Sequence, residues 1–486
     1  MAICVAISLL AALLLILLAV IAIRTALFKS KQLSVSAIAS CPVNIAAAAE
    51  RLSGAIQVPT VSSLDESQVD FEQLARFREY LSAAFPRVHS SLDKQVINNH
   101  GLLYTWKGSD PAMKPILLLA HQDVVPVTVE GWTHPPFSGA IADGYVWGRG
   151  TLDDKGSLMG MLEAVEFLIK DGFRPSRSVC LAFGFDEEVG GRQGAGKIAE
   201  LLKSEGQQFE FVIDEGLVAV SGMFPGIIAW IALVGTAEKG YLSLELSVQA
   251  TGGHAAQPPR ETAAGIIAKA VAKLQAKPFP ARLTGPAAEL FSYLGPEMPF
   301  PNKMIFANMW LFSPLVKRLL SAKPATDASI RTTTAPTMLS GSAQDNVLPT
   351  LATAVVNFRI LQGESVQSVI KRVKAVIGDP RVKVSPILKT IFEPSPASST
   401  DSPGFAIVSR TIRETMPGTL VAPMLVPART DCTYFTGLSP CCFRFVPERI
   451  PGNELSSIHG VNERISLDSY AEMINFYLRL MQNSCT

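Results

Sequence analysis

Apolar and polar positions follow several rhythms along this chain. The first 23 residues follow none. Residues 2–23, "AICVAISLLAALLLILLAVIAI", carry no charge, and Arg24, Lys29 and Lys31 follow. A run of that length crosses a bilayer as a helix, for which about 20 residues suffice. The rival reading is a cleaved signal peptide, whose apolar core usually spans about 7–15 residues behind a basic patch; no Lys or Arg precedes the run here. After a polar linker, "AAAAERLSGAI" and "FEQLARFREYLSAAF" show helical spacing. Strand-like runs follow at 116–120, 179–185 ("VCLAFGF") and 211–213 ("FVI"). Between the first two, "GSLMGMLEAVEFLIKDG" reads as a helix stopped at Gly172. Strands alternating with helices predict parallel βαβ units, with ligands gathered at the carboxyl ends of the strands.

From residue 238 the rhythm changes. "YLSLELSVQA" alternates as a half-buried strand, "TAAGIIAKAVAKLQ" is a helix, "TLATAVVNFRI" a strand, "SVQSVIKRVKAVIGD" a helix and "VKVSPIL" a strand. This predicts a small α+β domain inserted into a larger α/β domain with a largely parallel sheet flanked by helices. The expected division is 1–30 signal anchor or signal peptide, 44–237 first catalytic part, 238–391 inserted lid, and 392–486 second catalytic part. Within the insert, residues 280–330 are rich in Pro, Phe and Trp, which suits packing or an apolar substrate wall.

Composition narrows the function. The 486 residues hold 43 Lys and Arg against 42 Asp and Glu, so no basic field invites nucleic acid. Seven cysteines without a CxxC pair argue against a disulfide framework or a structural zinc module. No Asn-x-Ser/Thr sequon occurs, which removes one support for secretion.

The strand ends carry the candidate chemistry. They hold His121 and Asp123 in "AHQDVVP", Asp153 and Asp154 in "GRGTLDDKG", Asp186, Glu187 and Glu188 in "FDEEVGG", Asp214 and Glu215 in "IDEG", and His459 in "SSIHGVNE". Carboxylates gathered there repel one another and resist desolvation unless a cation joins them. Imidazole and carboxylate donors suit zinc, with cobalt or manganese as alternatives. Two histidines with several carboxylates suffice for two ions roughly 3.5–4 Å apart, bridged by one carboxylate.

These motifs, with "GGHAAQPPRET", "NVLPTLATAVVNFRI" and "IHGVNERI", resemble in order and spacing the di-zinc aminoacylase/carboxypeptidase family. The nearest branch is that of the N-fatty-acyl-amino-acid synthase/hydrolase and the Gly-Xaa carboxypeptidases, and the resemblance covers about residues 44 to 480. It implies a zinc-peptidase-like catalytic domain and two Zn2+ ions bridged by Asp153. His121 and Asp214 would hold one ion, Glu188 and His459 the other. Asp123 would orient His121. Glu187 would be the general base, taking a proton from the attacking water and returning it to the leaving amine. His254 of "GGH" would help stabilise the oxyanion, and Asn346 and Arg359 would hold the substrate carboxylate.

Two departures stand out: Thr433 in "RTDCTYF" occupies a position where the branch usually has Arg, and "GGHAA" replaces "GGHSS". The expected activity is hydrolysis, and reversal, of the amide in N-fatty-acyl amino acids, with Gly-Xaa peptide cleavage as the alternative. The expected partners are a small-molecule substrate and, where residues 2–23 are retained, a membrane; nucleic acid is not expected, and a homodimer is left open. The resemblance implies a lumenal or extracellular body, or secretion if the segment is cleaved. The cationic flank after residue 23 points instead to a cytosolic body, so orientation stays open.

Overall fold

The computed structural model describes residues 2–388 and 391–485. Its larger layer is a ten-stranded mixed sheet. The fully buried strand Ile116–His121 lies at its centre, parallel to Val179–Gly184 on one side and Val212–Asp214 on the other. Val212–Asp214 is in turn parallel to Cys442–Arg444. Register sets Ile116 opposite Val179 and His121 opposite Gly184, so the polar ends of these strands emerge along one edge. This is the edge at which parallel sheets collect ligands.

Helices cover both faces. Lys155–Lys170 is buried along most of its length and packs against the C-terminal helix Leu467–Ser484, where Gly160 lets Met473 and Tyr477 approach. On the other face Ala195–Ser204 covers Leu103, Leu117 and Val212. The helices expected near the N-terminus form as Ile45–Ile56 and Phe71–Ala84, capped by Asn44 and Asp70 accepting from backbone N–H groups.

A second core belongs to a four-stranded antiparallel sheet in the order Thr333–Ser340, Leu351–Ile360, Gly240–Gln249, Lys383–Pro386. Leu242, Leu244 and Leu246 alternate inward with Ala354, Val356 and Phe358. The helices Ala263–Ala276 and Val366–Ile377 bury Ile267, Ala270, Val369 and Val373 against them. The α+β expectation is met by this period-two burial under two amphipathic helices.

Residues 280–330 are not one wall. Pro286–Leu294 buries Leu290, Tyr293 and Leu294 against the large core beside the strand Leu420–Val426. The following helices Phe300–Ala307 and Met309–Leu320 leave Phe300, Trp310, Leu315 and Leu319 exposed. The N-terminal run forms one helix, Ala2–Leu27, long and apolar enough over Ile3–Leu27 to cross a membrane.

Candidate active site

Five loops converge on the edge described above. His121 ends its strand fully buried, and its Nδ1 lies 2.9 Å from the carbonyl of Asp123. A carbonyl only accepts, so Nδ1 carries the proton and Nε2 is the ring atom turned toward the carboxylates. That Nε2 faces Asp153 Oδ1 at 2.9 Å and Glu215 Oε1 at 3.5 Å. The other oxygen of Asp153, Oδ2, lies 2.9 Å from His459 Nε2, which also meets Glu188 Oε1 at 3.2 Å. Asp153 therefore turns one oxygen to each imidazole. Its peptide with Asp154 is cis.

The carboxylate of Asp123 has a second task. Its two oxygens accept from the backbone N–H groups of Glu187 and Glu188 at 3.1 and 3.2 Å. One residue thus fixes both the first imidazole and the turn that presents the two glutamates. His459 sits at φ +61°, a left-handed conformation uncommon outside glycine and held only where surroundings demand it. The surroundings are explicit: Arg149 Nη2 donates to the His459 carbonyl at 3.0 Å, and Arg149 Nη1 pairs with the buried Glu463. The other oxygen of Glu463 accepts from the N–H groups of Gly150 and Leu152 at 2.9 Å, with that of Asp153 at 3.3 Å. Arg149 and Glu463 therefore lock the loop bearing Asp153 to the loop bearing His459.

The sequence assigns Asp214 to the first ion; in the structure the carboxylate beside the imidazole is that of its neighbour, Glu215, with Oε1 3.5 Å from His121 Nε2. Asp214 Oδ2 accepts from Cys432 N at 2.6 Å and Oδ1 from Glu215 N at 3.0 Å, so both oxygens are engaged by backbone N–H groups. Consecutive residues at a strand end project to opposite sides, and Glu215 is the one that faces the imidazole. Groups close enough to share an ion are His121, Asp153 and Glu188, and His121, Asp154 and Glu215, with donor atoms within 4.8 Å of one another.

Electrostatics support a cation among them. Burial, with Glu215 beside it, holds the Glu187 carboxyl well above the usual carboxylate range; burial and Asp153 do the same for Glu215. Asp153 is drawn down by the two imidazoles against its burial, and the His459 imidazole is pushed up to about 10 by Asp153 and Glu188. The donor set is rich in oxygen with two imidazoles, which fits divalent zinc and its near neighbours.

Glu215, Arg149, Glu463 and Asp431 were not assigned roles from the sequence. Asp431 lies inside the "RTDCTYF" stretch. Both its oxygens are buried without a hydrogen-bond partner among the described residues, and burial beside Glu187 holds its carboxyl well up. A Cβ on Gly191 would collide with Asp431 Oδ1. Thr433, two positions on, donates its hydroxyl to Glu238, which also pairs with buried Arg444 at 3.1 Å. The only signal for Glu463 was its place four residues after His459 in "HGVNE".

The three residues expected to grip substrate lie on the smaller sheet's side. His254 is exposed in a two-stranded ladder opposite Val347, and Asn346 adjoins it through its carbonyl, which accepts from Ala255 N at 3.0 Å. Arg359 lies on Leu351–Ile360 with its guanidinium over the Tyr241 ring, 4.5 Å from the centroid. Among the described residues no hydrogen bond or ion pair joins His254 or Arg359 to the carboxylate cluster.

The sequence profile of peptidase family M20/M25/M40 matches residues 117–483. The chain is 43% identical over 441 residues to an N-fatty-acyl-amino acid synthase/hydrolase PM20D1 of Xenopus tropicalis, covering 90% of this chain and 86% of that protein. It is equally identical, over 90% of this chain and 85% of the relative, to a probable carboxypeptidase S-like 2 of Dictyostelium discoideum. Carboxypeptidase S of Saccharomyces cerevisiae is 31% identical over 487 residues, covering 89% of this chain and 83% of the yeast protein. Among solved structures, human carnosine dipeptidase 1 matches with a TM-score of 0.64 at 15% identity, covering 91% of this chain and 96% of that one; this shows the shared fold. A profile spanning three quarters of the chain, relatives matched over nine tenths of it, and a carboxylate–imidazole cluster at the sheet edge agree: the chain belongs to the M20/M25/M40 family of metal-dependent peptidases.

Proposed function

We propose that this protein hydrolyses, and in reverse forms, the amide between a long-chain fatty acyl group and an amino acid, with two zinc ions bound at the strand edge. The observation that carries the two-ion reading is Asp153, whose oxygens each face a different imidazole at 2.9 Å. His121 with Glu215 would hold one ion and His459 with Glu188 the other, Asp153 lying between. Bound there, zinc would polarise the scissile carbonyl and lower the pKa of water.

The chain's own groups supply the rest. Glu187 takes a proton from the attacking water and delivers it to the leaving nitrogen as the carbon–nitrogen bond breaks, giving a carboxylic acid and a free amine. Its buried carboxyl, pushed up by Glu215, is poised to hold that proton between the two steps. Asp123 keeps Glu187 in place through the backbone N–H it accepts from. His254 would reach the developing oxyanion, and Asn346 with Arg359 the amino-acid carboxylate, if the smaller sheet of one chain closes over a site. The domain division at about residues 238 and 391 belongs to this reading. So does a body held at, or released from, a membrane by the N-terminal helix.

The acyl-amino-acid substrate is favoured by the name of the Xenopus relative, and short peptides by those of the carboxypeptidase-like ones. Purified protein assayed on N-oleoyl-phenylalanine and on Gly-Leu decides between them. Turnover of the first at the higher kcat/KM is expected; turnover of the peptide alone would refute the lipid substrate.

A further inference from the structure

One helix of the insert, Met309–Leu320, presents an apolar face that no part of the described chain covers, and Phe300 of the helix before it is exposed beside it. On Met309–Leu320, Trp310, Leu311, Leu315 and Leu319 recur at helical spacing and are 53%, 39%, 46% and 61% exposed. An amphipathic helix buries its apolar stripe in a globular protein; one with that stripe turned outward and cations beside it suits a lipid interface. The charge fits. From Met298 to Lys323 the chain carries Lys303, Lys317, Arg318 and Lys323 and no Asp or Glu. Cations of this kind are drawn to anionic lipid headgroups.

The N-terminal helix fixes where such a lipid surface would lie. Among the described residues, Leu17, Ile21 and Thr25 of this helix, with Phe28 just past its end, are the less exposed positions, and Phe300–Ala307 is a helix it packs against. Asn308, between the two insert helices, donates to the Ile21 carbonyl at 3.3 Å and to Thr25 Oγ1 at 3.2 Å, and Arg24 Nε donates to the Ala307 carbonyl at 3.3 Å. Leu17 lies ten residues before Leu27, which at about 1.5 Å per residue is roughly 15 Å from the helix end. A helix that packs along that stretch cannot stand clear of a bilayer that Ile3–Leu27 crosses. The face carrying Trp310 is therefore continuous with the membrane-crossing surface.

We propose that Phe300–Ala307 and Met309–Leu320 form a platform sunk into one leaflet of an anionic bilayer, so that the chain meets its membrane by this surface as well as by the N-terminal helix. Of the five tryptophans Trp310 alone is largely exposed, the other four being buried or half-buried. It is thus a built-in depth probe.

The test reconstitutes the full chain in vesicles of phosphatidylcholine and phosphatidylserine with bromine at a shallow or a deep acyl position. Shallow bromine should quench wild-type emission more than deep bromine, and Trp310→Phe should lose most of that quenching. The double change Leu315→Asp with Leu319→Asp should at least halve the Trp310 share while leaving the melting temperature in detergent unchanged. Equal fractional quenching of wild type and Trp310→Phe would overturn the platform. So would Trp310 sheltered from bromine in a cross-linkable pair of chains, since a second copy would then be the occupant.

Discussion

Asp214 and Glu215 test the site at the scale of single residues, because one position of strand phase decides which of them faces an ion. Glu215→Gln is expected to cut zinc content and activity together. Asp214→Asn should keep its metal while losing stability, since it alters the acceptor of the Cys432 N–H bond at 2.6 Å. Metal per chain, measured on both variants after dialysis, separates the two; loss of zinc in Asp214→Asn alone would restore the sequence assignment. Glu187→Gln should lower kcat by about 10²–10⁴ with metal content intact, the range expected for a lost general base. A kcat unchanged within threefold would assign the proton transfer elsewhere. His121, Glu187, Glu188 and Glu215 were legible in the sequence because each follows an apolar strand and so emerges at the same edge, whereas Asp153 and His459, in loops, were legible only by their motifs. What the sequence left ambiguous was side-chain direction within "DEG", and whether Asp123 acts through its carboxylate or its carbonyl; both depend on backbone phase, which composition does not carry.

At the scale of elements, loops from distant parts of the chain are joined by buried charge. Glu463 and Arg149 are 314 positions apart and almost fully buried, and they bind the Asp153 loop to the His459 loop. Glu463→Gln would leave Arg149 without its counter-charge, a loss of about 3–5 kcal/mol when one partner of a buried pair is removed. It should also weaken metal affinity about 10–100-fold, as changes behind metal ligands do. A chelator competition titration checks the affinity and urea unfolding the stability; unchanged values in both would show the two loops to be held by other contacts. The helices at 45–56 and 71–84 were readable from helical spacing, and 155–170 from its spacing and the glycine stop at Gly172. Strands such as Cys442–Arg444 were not, being three residues long and buried on both faces, too short for any period to register. The insert's helices were legible as apolar but not as outward-facing, because the direction of a stripe depends on what else is there to cover it.

At the scale of the whole molecule, the gathered acids tie stability to metal and to pH. In metal-free protein Glu187, Glu215 and Asp154 have folded pKa values raised well above their ordinary ones, and His121 and His459 are raised too, His459 to about 10. A raised value means that the folded state binds more protons than the unfolded state between the two pKa values. Stability therefore falls as pH climbs through that window, from about 4.5 upward for the glutamates and from about 6.5 toward 10 for His459. The favourable interaction of His459 with Asp153 and Glu188 is fully present below the ordinary histidine value and lost as pH nears 10. Protons in the chelated protein thus stand in for the charge that zinc supplies. Chelated protein should melt progressively lower from pH 5 to pH 8, while zinc-loaded protein, whose ligands bind metal instead of protons, should gain over the chelated form as pH rises. At a free zinc concentration about 100 times the dissociation constant, each ion should contribute about 2.7 kcal/mol. Scanning calorimetry of both forms across that range checks it: a chelated protein more stable at pH 8 than at pH 5 would mean that the carboxylates are not forced together as the strand edge places them.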